Sequence, residues 1–272
     1  MAHPQIATFA RLAKENTPPA RAIAGQMTRL SRTMHDIFYD ALHDEIVVTN
    51  PFSQAVLTFR GNADGEEPPI RVIQGPSTGM DAPDKFGVDP VHDEIFVPND
   101  ALEEILVFPR LANGDAAPIR RLRGTWTPGN IAVDPVHNLI IVGVDPLFSS
   151  LPAGQSADRR QFTQILMFNR TDNGEAKPRA VITGSNTGLK NVRQIAVYPE
   201  KGYIFASQHS GSYFLGIWSV NDNGNIAPRW KMGGPKSELA GARGVAIDPK
   251  HKEVIAASGQ NAVLTYYFPE VF

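Results

Sequence analysis

The chain contains no cysteine among its 272 residues, so disulfides, thiolate metal sites and a cysteine nucleophile are excluded. It also lacks any apolar run approaching about 18 residues, and no membrane-inserted helix is predicted. No segment keeps a helical apolar period over several turns, and prolines interrupt each candidate. Long amphipathic helices are therefore not predicted either.

An excess of charge of one sign is also missing. The 26 Lys and Arg residues nearly balance 28 Asp and Glu, giving a formal net charge of −2, so nucleic-acid binding is not expected. The first residues lack a basic n-region and an apolar h-region, so no signal peptide is predicted. We expect a cytoplasmic chain, or a periplasmic or extracellular one if this is a processed form.

Glycine (23) and proline (22) are both frequent, and hydrophobic residues make up 42% of the chain. This composition favours many short strands joined by tight turns around a sizeable core. An internal repeat strengthens that interpretation. An apolar run, an Asn-Gly or Asp-Gly pair, a proline with an arginine, and a glycine recur in this order. The copies cover residues 56–75, 105–124 and 165–184, a weaker copy covers residues 217–233, and a fifth at the N-terminus covers residues 6–25.

A second unit recurs between these copies. It consists of an apolar run that ends in Asp, a tight turn with proline and histidine, and another apolar run. Its copies cover residues 37–48, 86–97, 131–142 and 245–256, and a divergent copy covers residues 195–206. Together the two units predict four short strands, named a to d here, with the Asn-Gly pair acting as a hairpin signal between c and d.

Four antiparallel strands followed by a longer return loop form one blade of a β-propeller. The sequence thus predicts an all-β, single-domain propeller over residues 1–272, with roughly fifty residues per blade. Strands a and b are almost wholly apolar, as expected for strands packed on both faces. Residues 146–164, rich in Ser, Ala, Gln and Arg, form an insertion after the third strand b and are predicted to be an exposed loop.

Five copies of strand a favour five blades, with six blades as the alternative. The fifth copy ends after strand c, near Phe268, and its missing strand d is predicted to come from residues 21–25, so that strands from both termini close the ring. Residues 6–9 look like a surplus strand c. They are an extra edge strand, a strand that pairs with a second chain, or part of an incomplete sixth blade.

The rhythm of these units resembles the NHL and YVTN groups of bacterial propeller repeats. The residues that carry the resemblance are 45–50, 130–135 and 174–184, and it extends over essentially the whole chain. The resemblance implies a propeller fold. It leaves function open, because such propellers include protein-binding and RNA-binding modules, lyases and relatives of lactonases.

Residues that repeat in every blade are interpreted as structural. Histidines recur in the a–b turn, aspartates at the end of strand a and arginines in strand d, whereas a catalytic group is usually needed once. The histidines also lie on different blades, too far apart to share a metal. These residues are His43, His92, His137 and His251; Asp40, Asp89, Asp134 and Asp248; and Arg21, Arg71, Arg120, Arg179 and Arg229.

Polar residues that vary between blades are better candidates for a site. The loop entering strand a and the loop leaving strand b are expected to converge around the central channel on one face of a propeller. The candidate ligand-binding residues on these loops are His35, Asn50, Asn99, Asn130, Asp145, Arg193, His209 and Arg243.

No cofactor is required by the sequence, but a divalent metal in the channel is left open. His35 and His209 with Asp36, Asp100 or Asp145 would suit zinc, whereas Asn50, Asn99, Asn130 and Asp145 would suit a harder cation. None of these sets has a diagnostic spacing.

The absence of any catalytic motif favours a non-enzymatic binding or scaffold propeller, whose ligand is a protein, a glycan or a small molecule. The alternative is a metal-dependent hydrolase or lyase resembling the propeller lactonases, with its site on the axis and unassigned catalytic residues. A third hypothesis is self-association through the N-terminal strand.

Overall fold

The computed structural model describes residues 4–32, 34–124, 126–144 and 163–272. The chain begins with the hairpin of β1 (Gln5–Thr8) and β2 (Arg21–Ala24). The first blade contains β3 (Ile37–Asp40), β4 (Glu45–Asn50), β5 (Ala55–Arg60) and β6 (Arg71–Ile73). The second contains β7 (Gly87–Asp89), β8 (Glu94–Asn99), β9 (Glu104–Pro109) and β10 (Arg120–Arg123).

The third blade contains β11 (Pro128–Asp134), β12 (Leu139–Val144), β13 (Gln164–Asn169) and β15 (Ala180–Ile182), and the short β14 (Gly174–Glu175) joins β10. The fourth contains β16 (Val192–Tyr198), β17 (Tyr203–Gln208), β18 (Phe214–Ser219) and β19 (Trp230–Gly233). The fifth contains β20 (Gly244–Asp248), β21 (Glu253–Ser258) and β22 (Ala262–Tyr267). Short 3-10 turns cover Gln26–Thr28, Pro51–Ser53, Pro76–Thr78, Asp100–Leu102, Ser185–Thr187, Pro199–Lys201 and Pro235–Ser237.

The predicted fold class is confirmed: the chain is all-β and has five antiparallel blades of the β-propeller type. In the part of the chain that the structure describes, the sheet of the fifth blade has three strands. The sheets of the other four blades each contain strands a to d in sequence order. None of the described helices is long and apolar enough to cross a membrane. The predicted loop over residues 146–164 lies almost wholly outside the described residues, and its last residue, Gln164, begins β13.

The chain divides into two compact units. Unit 1 comprises residues 1–99 and 106–120, and unit 2 comprises residues 100–105 and 121–272. The assignment of the whole chain to one domain stays a prediction. In unit 1, β4 and β8 are buried along their full length, and in unit 2 so is β12. Their continuous apolar runs therefore lie between packed layers, as predicted for inner strands.

The strand pairing at the N-terminus differs from the predicted one. Residues 5–8 form a real strand, β1, which pairs with β2. The other edge of β2 contacts Gly65 through a parallel bridge at Ile23. Both edges of β2 are thus occupied within unit 1. The prediction that β2 pairs with strand c of the fifth blade as its fourth strand is therefore wrong for the described residues. β1 and β2 form a two-stranded sheet of their own among the described residues, so the three alternatives for residues 6–9 stay predictions.

The Asn-Gly and Asp-Gly pairs have a role that the hairpin signal did not predict. In unit 1, Asn113 Oδ1 accepts the N–H of Val72 at 2.9 Å, and Gly114 bridges Ile73 on the strand d before it. The same contacts recur at Asp64, Asn173 and Asn223. The glycines lie at positive φ, which an L-residue adopts only with strain. These turns therefore bond β2, β6, β10 and β15 to the repeat that follows each of them.

The repeated histidines are structural, as predicted. In blade 3, Asp134 Oδ1 accepts the N–H groups of Val136 and His137, while its Oδ2 lies 2.8 Å from His137 Nδ1. Asp134 is fully buried, so these bonds satisfy its carboxylate. The equivalent pairs are Asp40 with His43, Asp89 with His92, and Asp248 with His251.

Three of the repeated arginines form ion pairs. In each case described, the partner is an acidic side chain within the same blade. These pairs are Arg71 with Glu45, Arg120 with Glu94, and Arg229 with Asp222. Repetition of a residue type in this chain therefore accompanies a structural contact that recurs in several blades.

Candidate functional site

The last residue of strand b carries a polar side chain in four blades. In each, this side chain bonds the loop that enters strand a of the same blade. Asn50 Nδ2 donates to Arg29 O at 2.9 Å, and Asn99 Nδ2 donates to Gly79 O at 3.0 Å. In the fourth and fifth blades the equivalent residues are Gln208, which accepts from Lys190 N, and Ser258, which donates to Ala240 O.

Two of the predicted ligand-binding residues therefore have a structural role that the sequence did not reveal. Asn50 and Asn99 occupy the same position in the repeat, and each side chain bonds the loop that enters strand a. Their shared role is therefore structural. Asn50 Oδ1 is buried and has no hydrogen-bond partner among the described residues. Ligand binding by either amide stays a prediction.

His35 belongs to a group of ionisable side chains in unit 1. Its Nδ1 forms a close pair with Asp84 Oδ1, from 49 positions further along the chain. The buried Lys85 donates from Nζ to His35 O at 3.0 Å, and Asp36 Oδ2 accepts the N–H of Phe86. The His35 and Asp84 side chains are 40% and 30% exposed. A carboxylate on Nδ1 orients the ring and leaves its other nitrogen available for proton transfer.

Unit 2 contains Asn130 and His209. Asn130 Nδ2 donates to Val192 O at 2.8 Å, and its Oδ1 is buried without a partner in the described part of the chain. The N–H of His209 donates to Asn191 O at 2.9 Å, and its ring centroid lies 6.4 Å from that of Tyr213. His209 Nδ1 is likewise buried and unpaired among the described residues. The Asn130 side chain is thus bonded to the first residue of β16, and the His209 backbone is bonded to the residue before it.

The remaining predicted residues are Arg193, Arg243 and Asp145. Arg193 is half-buried within β16, and Arg243 is exposed next to β20. Asp145 lies outside the described residues. His35, Asn50 and Asn99 belong to unit 1, whereas Asn130, Arg193, His209 and Arg243 belong to unit 2.

The predicted metal sets gain no geometric support. Within residues 4–32, 34–124, 126–144 and 163–272, no three His, Asp or Glu side chains lie close enough together to hold an ion. Asp145, which both sets include, is outside these ranges, so a divalent metal stays a prediction.

A groove of about 760 Å³ lies in unit 2, between loops of the fourth and fifth blades. Its walls are the b–c loops of both blades and the d–a loop that connects them. The side chains that offer chemistry are Tyr213, Lys231, Glu238 and Gln260. Lys231 Nζ lies 4.3 Å from the centroid of the Phe214 ring, a cation–π distance that holds the ammonium at the wall. The groove thus combines one aromatic ring, both charges and an amide.

The d–a wall of this groove is a preformed turn. Ser237 Oγ donates to Gly234 O at 2.6 Å, and the Tyr266 hydroxyl donates to Ser237 O at 2.7 Å. The turn over Pro235–Ser237 ends at Glu238, which has a φ of 58°. Because these bonds fix the backbone in advance, a ligand loses less entropy in ordering the loop.

Unit 1 contains the equivalent groove, of about 550 Å³, between the b–c loop of the first blade and the d–a loop that leads to the second. Thr78 Oγ1 donates to Gly75 O at 2.7 Å and so reproduces the turn of the other groove. The lining differs, however: Gln54 stands where the unit 2 groove has Tyr213, and Gln74 and Asp81 are the other polar side chains.

The two types of loop that the sequence singled out line both grooves, but three of the four side chains that offer chemistry in the unit 2 groove were not among its candidates. The three residues are Tyr213, Lys231 and Glu238. Lys231 was predicted to lie in strand d, and the other two lie in segments that the sequence indicated only as turns. One signal was available: Tyr213 is an aromatic residue at a repeat position that holds Gln54 in the first blade.

No family model matches the chain, and no curated protein matches it in sequence. Among solved structures, the chain is similar to one titled Kuenenia stuttgartiensis Hydrazine Synthase, with a TM-score of 0.54 and 12% identity. The match covers 82% of this chain, and this chain spans 55% of the length of that one. A likeness at this identity supports the fold alone. The resemblance to NHL and YVTN repeats is not confirmed as a family.

Proposed function

We propose that this chain is a non-enzymatic binding propeller that holds a small glycan in the unit 2 groove. The observation that carries the proposal is the repeated groove with unequal lining. The same pair of loops forms a groove in both units, while the side chains that face it change from one unit to the other. A purely structural feature would keep its side chains, as the Asp-His turns do.

The lining of the unit 2 groove suits a sugar ring. Tyr213 is 40% exposed and offers a flat apolar surface, and Lys231, Glu238 and Gln260 offer hydrogen-bond donors and acceptors around it. Ligand sites combine apolar or aromatic contact with a few polar groups that fix orientation. Neither charge dominates, which favours a neutral polyhydroxylated ligand over an anion or a cation.

Saturation-transfer NMR with a panel of mono- and disaccharides tests this proposal. We expect at least one sugar to bind, and Tyr213→Ala to weaken it by about tenfold or more, because a well-packed aromatic contact contributes well over 1 kcal/mol. Gln54→Ala at the same repeat position of the unit 1 groove is the matched control and leaves binding unchanged. Absence of binding by every sugar, or equal losses in both variants, would contradict the proposal.

The His35 pair supports a second candidate function, a hydrolase or lyase. Asp84 orients the His35 ring, and the buried Lys85 lies beside it, an arrangement suited to general acid–base chemistry. A metal-dependent, lactonase-like reaction would need ligands in addition to these residues.

An ester and lactone panel, assayed with and without added Zn²⁺ or Ca²⁺, tests this second candidate. If it holds, we expect turnover that His35→Gln lowers by a factor of about 10² or more, because the proton-transfer group is lost. His92→Gln, which changes a turn histidine, is the control. No turnover under any metal condition would rule the enzyme out for these substrates and leave the binding proposal standing.

A further inference from the structure

The fifth sheet ends at β22, with no strand d beside it in the described part of the chain. In each of the other four blades, strand c pairs with a strand d: β5 with β6, β9 with β10, β13 with β15 and β18 with β19. A free strand edge presents a row of unpaired N–H and C=O groups and is a template for another strand. β22 is such an edge.

One hydrogen bond defines how strand d joins the other blades. The N–H of the residue directly after a proline donates to a carbonyl of strand c at 2.8 Å in all four. The donor and acceptor pairs are Ile70 with Thr58, Ile119 with Val107, Arg179 with Met167, and Arg229 with Ile217. By the b–c register, Thr265 in β22 occupies the acceptor position, because it pairs with Ile255 as Thr58 pairs with Val47.

The side chains next to this edge are exposed as well. Val263 is 74% exposed and Tyr267 is 70% exposed. The residues at the position of Val263 in the other blades are at most 1% exposed. They are Val56, Ile105, Ile165 and Leu215. Val263 therefore exposes to solvent the apolar surface that its four equivalents bury. An exposed apolar edge strand of this kind indicates an interaction surface.

The existing fourth strands show which partner would fit. After the proline and the donor residue, an aliphatic or methionine side chain follows three positions later, as in Ile73, Leu122, Ile182 and Met232. In the first two blades an arginine also follows the proline by two positions and pairs with the first residue of strand b, Glu45 or Glu94. Glu253 stands at that position in the fifth blade.

We propose that β22 accepts, as a fourth strand, an extended segment of another polypeptide with the pattern Pro-x-Arg-x-aliphatic. The N–H that follows the proline donates to Thr265 O, the arginine lies towards Glu253, and the aliphatic residue packs at the strand end. Main-chain bonds supply affinity in this mode of recognition, and alternate side chains supply specificity. The proposal concerns a different surface from the groove and does not depend on it.

A synthetic peptide with the protein's own first strand d, residues 66–75 (EEPPIRVIQG), is the probe. We expect a fluorescein-labelled peptide to bind the full chain in a polarisation assay and to increase hydrogen-exchange protection of residues 262–267. Methylation of the peptide nitrogen equivalent to Ile70 removes the one repeated donor. It is expected to weaken binding about tenfold or more, because a buried carbonyl then loses its partner.

Two chain variants locate the binding surface. Val263→Lys is expected to weaken the peptide at least tenfold, whereas Val136→Lys, at a 63% exposed turn residue, leaves binding unchanged. If Val263→Lys fails to fold, the methylated peptide alone decides. The proposal is overturned if the peptide does not bind or if methylation has no effect. It is also overturned if the chain forms a dimer that Val263→Lys breaks and the peptide does not compete, because a second copy then occupies β22.

Discussion

Replacing Arg110 by methionine is expected to lower the free energy of unfolding of unit 1 by about 3 kcal/mol. Arg110 is 7% exposed and follows β9. Its Nη1 donates to Glu45 Oε2 at 2.8 Å and its Nε donates to Asp93 Oδ1 at 2.6 Å. The hydrogen bond from Arg110 holds the pKa of Asp93 below its usual value.

The size of this effect follows from what the substitution leaves behind. Glu45 is 7% exposed, and without Arg110 its carboxylate keeps Arg71 as its one charged partner among the described residues. A buried charge that loses a partner costs several kcal/mol, and the remaining arginine places the expected loss at the lower end of that range, about 3 kcal/mol. Urea denaturation followed by far-UV circular dichroism measures it.

Arg60→Met is the matched control for the Arg110 substitution. Arg60 also pairs with a glutamate, Glu67, but its side chain is 59% exposed, so the pair is screened by solvent. We expect a loss much smaller than that of Arg110→Met, because solvent screens this pair. Equal losses in the two variants would show that burial of the Glu45 network contributes nothing beyond an ordinary surface pair.

Replacing Trp218 by alanine is expected to lower the free energy of unfolding of unit 2 by about 4 kcal/mol. Trp218 is fully buried and packs in a core with Ile204 and Phe214. Its Nε1 donates to Ile226 O at 3.1 Å, a carbonyl in the c–d turn. The substitution removes the largest side chain of that core and leaves a cavity that the surrounding strands close only in part.

Trp218→Phe separates packing from the hydrogen bond. Phenylalanine restores most of the buried apolar surface but leaves Ile226 O without its donor, so we expect a loss of about 1–2 kcal/mol. Far-UV circular dichroism in urea is the measurement for both variants, since tryptophan fluorescence changes with the substitution itself. A loss in Trp218→Ala no larger than in Trp218→Phe would contradict the cavity argument.

Several features of the fold could be predicted because they depend on neighbours in the chain. The Asp134 turn is one example: its carboxylate bonds groups two and three residues away, so the residue pattern contains the whole interaction. The apolar run of β12 predicted an inner strand from local sequence as well. A strand buried on both faces needs apolar residues throughout its length.

The site could be predicted only in part. The b–c and d–a loops were identified from repeat order, and they do form the grooves. The pairing of His35 with Asp84 was not predicted, since no local pattern links residues 49 positions apart. Nor did the sequence show that Asn50 and Asn99 are bonded to the loop entering strand a.

The strands of the first four blades and the turns that join them follow from residue patterns, because they depend on bonds between residues close along the chain. Which strand edges are already occupied follows only from the packing of the folded chain. β2 is paired on both sides, by β1 and by Gly65, whereas β22 has a strand on one side in the described part of the chain. Edges and grooves form where distant repeats pack together, and a pattern confined to one repeat does not encode that packing.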